Sequence, residues 1–161
     1  MKRFALTALI ASSITVTAGL ASAKVDVEDI RVTIDLNAVE NIKAASVWND
    51  LADDLETAIA AKLIDQISDT GAEVVIDIDE VSLANNFELA ANIEEAKLVG
   101  DVLLKIPGIA NNERYQLTVS ANEAKAFYPD GTDAGTVTLE SDVFYTAMIE
   151  RFAENVTAKL K

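Results

Sequence analysis

The chain has 161 residues, a formal net charge of −14, no cysteine and no histidine. The missing residue types exclude disulfides, thiol nucleophiles, imidazole general bases and most zinc sites. Its 27 acidic against 13 basic residues argue against nucleic acid and bare anionic lipid as partners, because both are recognised by clustered Lys and Arg.

Residues 1–23, MKRFALTALIASSITVTAGLASA, have the pattern of a bacterial secretory signal peptide. Lys2 and Arg3 form the positive start, Phe4 to Leu20 the apolar stretch, and Ala21-Ser22-Ala23 the small-residue cleavage site. Cleavage after Ala23 would leave 138 residues starting at Lys24, and would move the net charge from −14 to −16 by removing Lys2 and Arg3. The expected location is periplasmic. The apolar stretch is short for a membrane span and is broken by Thr and Ser. No Cys follows the cleavage site to take a lipid. Residues 24–161 are expected to form one domain held by hydrophobic packing.

Within that domain, residues 25–36 read as a strand. Ile30, Val32, Ile34 and Leu36 alternate with polar residues, while Val25 and Val27 lie on the other phase, so a bulge is expected near Asp29. Ser46 is a candidate N-cap. Trp48, Leu51, Leu55, Ile59, Leu63 and Ile67 follow at spacings of three and four, which predicts one amphipathic helix of about 22 residues. Gly71 is placed to end it in a left-handed conformation, and Lys62, near the apolar stripe, is expected to snorkel. Residues 72–83 read as a second strand, broken at Glu80. Residues 84–95 are ambiguous between a short helix around Phe87 and an excursion between strands. Residues 96–106 read as a third strand with a kink at Gly100, and 115–128 as a fourth, paired with the third as a hairpin across Pro107-Gly108. Thr136–Leu139 suggests a short fifth strand. Ser141 or Asp142 caps a last helix whose apolar face is Phe144, Met148, Phe152, Val156 and Leu160, with Glu150 and Glu154 on its wet side. The order β-α-β-β-β-α predicts the α+β class. The expected architecture is a two-layer sandwich, a mostly antiparallel twisted sheet of four to five strands with two helices on one face.

Catalytic constellations are missing. No G-x-S-x-G, P-loop or dinucleotide fingerprint occurs. Asp77 with Asp79, or Asp50 with Asp53 and Asp54, could serve as paired carboxylates of a hydrolase, but close acids are expected by chance in so acidic a chain. Trp48 sits on an apolar helix face and reads as core. The turn Asp130-Gly131-Thr132-Asp133 offers oxygens to a divalent cation but lacks the alternating carboxylates of a calcium loop. Neither a cofactor nor a metal site is expected. The main asymmetry is acidic: ten acids and only Lys62 as a base between Asp50 and Glu80. Asp50, Asp53, Asp54, Asp77 and Asp79 are the candidate docking residues for a basic envelope protein, against the alternative of a solvated, solubilising face.

The strand Arg31-Val32-Thr33-Ile34-Asp35-Leu36 and the helical stretches WNDLADDLETAIAAKL and FYTAMIERFAENVTAKL give an element order that resembles small envelope accessory domains. These are the lipopolysaccharide-assembly lipoproteins of the LptE type and the penicillin-binding-protein activators of the LpoB type. The resemblance is architectural and carries no functional residues. Those families carry a lipid on a Cys that this chain lacks. It implies an exported, non-catalytic accessory domain acting through protein contacts. Two alternatives remain: a carrier holding a small apolar or cationic ligand between sheet and helices, with Phe87 as lid, and, more remotely, a carboxylate hydrolase.

Overall fold

The computed structural model describes residues 24–38, 41–80, 82–83, 93–108 and 112–161. The expected signal peptide and Phe87 lie outside the described residues, as does most of the ambiguous segment 84–95.

The fold is α+β, with a four-stranded mixed sheet in the order β1-β2-β3-β4 and four α-helices among the described residues. β1 (Val27–Thr33) and β2 (Ala72–Ile78) are parallel, and the chain between them forms α1 (Ile42–Val47) and α2 (Leu51–Lys62). β3 (Lys97–Lys105) runs antiparallel to β2 and forms the expected hairpin with β4 (Glu113–Ser120). The short α3 (Ala121–Ala124) and the long α4 (Asp142–Thr157) complete the chain.

Alternation decides which sheet face is buried. Val32, Val74, Ile76, Ile78, Leu98, Val102, Leu104 and Val119 are buried with Leu51, Leu55 and Ile59 of α2 and Phe144, Met148, Phe152 and Val156 of α4. The intervening residues Arg31, Thr33, Asp77, Asp101 and Arg114 are exposed. The phase flip at the start of β1 is a register shift between Val27 and Asp29, as the sequence predicted. Gly100 lies inside β3 without ending it. An added Cβ there would stand 3.1 Å from Phe152 Cζ and 3.2 Å from Ile78 Cδ1, so the position serves close helix–sheet approach.

Several expectations are corrected. The single long helix is two: Asn41, whose Oδ1 accepts from Lys43 N and Ala44 N, caps α1, and a turn at Trp48–Asp50 separates it from α2. β4 stops at Ser120 because Ser120 and Glu123 form a reciprocal capping box that starts α3. The proposed fifth strand at Thr136–Leu139 is a series of turns. Thr136 N and Oγ1 both donate to Asp133 O, and Ser141 N and Oγ donate to Thr138 O, so local polar bonds outcompete pairing. Ser141 then caps α4, accepting from Phe144 N. Lys62 does more than snorkel: it reaches Glu150 at 2.8 Å and Glu154 at 3.6 Å, pinning α2 to α4.

Gln66 ties both ends of the described domain together. Its side-chain Nε2 donates to Val25 O at 2.9 Å and Leu160 O at 3.0 Å, its backbone O accepts from Val27 N, and it is only 4% exposed. Gln66→Leu keeps the volume but leaves the Val25 carbonyl without this donor. It should lower stability by about 2 kcal/mol in denaturant unfolding, with the terminal amides exchanging faster. A change below about 0.5 kcal/mol would show that water replaces the amide at no cost.

Candidate functional site

The N-terminal end of α2 and that of α4 come together at one place, and both carry acids. Between them lies a recess of about 340 Å³ lined by Asp50, Asp54, Glu140, Asp142, Tyr145, Ser46, Val47 and Asn49. Local sequence explains each position. Asp50 is the N-cap of α2, although its side chain makes no capping bond, and Asp54 lies in the first turn. Asp142 is the first residue of α4, just after the Ser141 cap, and Glu140 precedes the cap. Acids at helix N-termini are favoured by the helix dipole, so the arrangement is stable without a bound cation.

Tyr145 anchors the floor. Its hydroxyl donates to Asp54 Oδ2 at 2.7 Å, and its ring lies 5.2 Å from that of Trp48, which also meets Phe144 edge-on at 6.4 Å. Burial, then the bond to Asp54 and the nearby charges of Asp54 and Asp50, push the Tyr145 phenol well above the usual range. The phenol therefore stays protonated and keeps donating to Asp54. Lys43 lies 3.4 Å from Glu140, with both side chains largely exposed. This exposed pair is weak, so the Glu140 carboxylate stays open to exchange for another cation.

The other candidate residues lie elsewhere. Asp53 is exposed in the first turn of α2 and does not line the recess. Asp77 lies on the exposed sheet face, away from α2, where its Oδ1 accepts from Thr33 Oγ1 at 2.8 Å; Asp101 stands beside it on β3. Asp79 Oδ1 accepts from Ser82 N, ordering the turn after β2. The two acidic groups therefore do not merge into one surface. Glu140 and Asp142 are the residues that sequence reasoning left out of the site. Asp142 was legible only as a helix cap, and nothing local to Glu140 reveals that it faces Asp50. Among the described residues no group of three or more acids has a metal-binding arrangement, and no helix is long and apolar enough to cross a membrane.

The tyrosines set a pH limit. Burial, with the Glu113 charge, pushes the Tyr115 phenol up to about 12, and burial raises Tyr128 too. A folded-state pKa above the unfolded value near 10 gives stability that is complete below pH about 10 and is lost as pH rises through the folded value. Unfolding free energy should hold at pH about 9 and fall by pH about 11, while phenolate absorbance of the folded protein develops only at higher pH, above the ordinary tyrosine range. Titration of all three phenols near 10 in the folded protein would contradict this placement.

None of the known protein families, curated proteins or solved structures compared with the chain matches it.

Proposed function

We propose that this chain is an exported, non-catalytic accessory domain of the cell envelope that docks a basic protein partner at the acidic recess. In this reading residues 1–23 are removed on export. The domain is a two-layer α+β sandwich with α2 and α4 on one sheet face, comparable in role to the LptE-like and LpoB-like accessory domains but without their lipidation Cys. The carrying observation is the convergence of Asp50, Asp54, Glu140 and Asp142 on one recess that Tyr145 also lines, with the exposed Lys43 paired to Glu140. A recess of that size accommodates a Lys or Arg head group, and the surrounding carboxylates favour it over neutral or anionic side chains. The space between sheet and helices is filled by fully buried Trp48, Phe144 and Phe152, so the recess suits a cation better than the interior does.

The test begins with crosslinking in cells and affinity capture of a tagged chain. Captured partners are then measured against the triple variant Asp50→Asn, Glu140→Gln, Asp142→Asn, which neutralises three of the four lining carboxylates. Asp54 is spared because it holds Tyr145. Binding should fall about tenfold and weaken further with salt, mostly through slower association. Capture of the same partner with unchanged affinity and no salt dependence would end the proposal.

A further inference from the structure

We propose that the outer edge of β1 is a second docking site, which takes an extended basic segment of a partner protein as an added strand. This site lies along β1 and the middle of α2, apart from the acidic recess at the N-terminal end of α2, and does not depend on it.

β1 is an edge strand, hydrogen-bonded to β2 on one side. Its outer side already shows how it accepts a neighbour. Val27 N donates to Gln66 O at 2.7 Å, Ser68 N donates to Val27 O at 2.9 Å, and Val27 and Ile67 form a parallel bridge. That strand-like contact stops after one residue. Further along, Val32 N donates outward to Glu56 Oε1 at 2.7 Å. The Glu56 carboxylate thus takes the place where a neighbouring strand would put a carbonyl. Because strand hydrogen-bonding groups alternate sides, the Ile30 amide faces the same way as that of Val32.

A groove of about 330 Å³ runs beside this edge, between β1 and α2. Ile30, Ala60 and Ile67 give it apolar walls, and Glu28, Asp29 and Glu56 make it acidic. Ile67 is 48% exposed, one of three exposed large aliphatics among the described residues, with Ile42 and Ile64. Asp29 is held by Arg31 at 2.8 Å, which leaves Glu28 and Glu56 as the charges an incoming strand meets. A strand edge held at Val32 by a side-chain carboxylate, beside a lined groove, is the geometry of strand addition, in which main-chain bonds supply affinity and side-chain pockets supply selectivity. The charge selects the occupant. A segment alternating apolar with Lys or Arg satisfies both walls. A second copy of this chain would bring further Glu28 and Glu56 carboxylates to the same acidic groove and is disfavoured.

The test uses the mature chain and three synthetic octapeptides. One alternates Lys and Val, one alternates Glu and Val, and one is the Lys–Val peptide N-methylated along one edge. Amide hydrogen exchange and chemical shifts are read with each. The Lys–Val peptide should slow exchange at Ile30 and Val32 by about tenfold or more, and the other two peptides should not. Ile67→Lys, at an exposed site that leaves the fold intact, should weaken the Lys–Val peptide about tenfold; Ile30→Pro, removing an outward amide on an edge strand, should abolish it. No protection at Ile30 and Val32, equal binding of the acidic or N-methylated peptide, or protection of these amides by self-association without peptide would each overturn the proposal. Shifts confined to Asp50, Asp54 and Tyr145 would overturn it too, while leaving the acidic recess standing.

Discussion

Gly71→Ala should destabilise the protein by about 3 kcal/mol, the upper end of the usual cost of overpacking. The reason is steric and local. A Cβ at Gly71 would stand 2.4 Å from Asp26 O, 2.6 Å from Asp26 C and 2.9 Å from Val27 N, all main-chain atoms. A flexible side chain could swing away from such an intrusion, but here the obstacle is the start of β1. The next residue, Ala72, donates to that same Asp26 carbonyl at 2.8 Å, so relieving the clash breaks the first link between β1 and β2. Gly108 is the control. Its φ is +78° and nothing lies within 4 Å of its added Cβ, so Gly108→Ala should cost only the left-handed backbone penalty of about 1 kcal/mol. Urea unfolding of the two variants side by side separates the mechanisms. Equal losses would mean that β1 shifts freely and that the close approach at Gly71 is not what fixes the register.

The sequence signalled a glycine at Gly71 and named the wrong cause. Periodicity ran on through Leu63 and Ile67, so the glycine looked like a helix terminator. In the structure α2 ends at Lys62 and the following turn carries Gln66 and Ile67 to the edge of β1. An apolar residue recurring at helical spacing cannot distinguish a helix from a turn that leads back to the same core. The break at Trp48–Asp50 was hidden for the same reason, since Ala44, Trp48 and Leu51 all stay on the buried side across it. Where pattern and local chemistry agreed, as in the β3–β4 hairpin and in α4 with its Ser141 cap, element and partner were both legible. The Ser120-x-x-Glu123 capping box was visible in the chain. The apolar alternation that runs on past Ser120 outweighs it as a local signal.

The site was legible only in halves. Asp50 and Asp54 stand out because local composition is acidic there. Glu140 and Asp142 come from about ninety residues away, brought in by the packing of α4 on α2, and no local pattern encodes that meeting. The grouping of Asp77 with the helix acids failed for a geometric reason. Strand alternation sets Asp77 opposite to Ile76 and Ile78, and those two face the helices. The edge groove had no sequence signal, because the free side of a strand depends on which strands it pairs with.

Trp48→Ala should be the most damaging single substitution considered, costing about 3–5 kcal/mol as a large buried aromatic leaves a cavity. Trp48 is fully buried, and its ring contacts those of Phe144 and Tyr145. Its indole Nε1 is also buried with no hydrogen-bond partner among the described residues. An unsatisfied buried donor is itself unfavourable by about 1–3 kcal/mol, so Trp48→Phe should lose packing yet be relieved of that penalty, for a net cost below about 1.5 kcal/mol. The contrast has a second readout at the recess. Tyr145 holds Asp54 from a ring that rests on Trp48, so Trp48→Ala should open the phenol to water and bring its ionisation back toward the ordinary range, whereas Trp48→Phe should preserve the raised value. Denaturant unfolding gives the stability difference, and tyrosinate absorbance gives the titration. Equal costs for the two variants would show that the indole nitrogen does find a partner in solution. An unchanged Tyr145 titration in a folded Trp48→Ala protein would show that the recess is held by Asp54 and α4 alone.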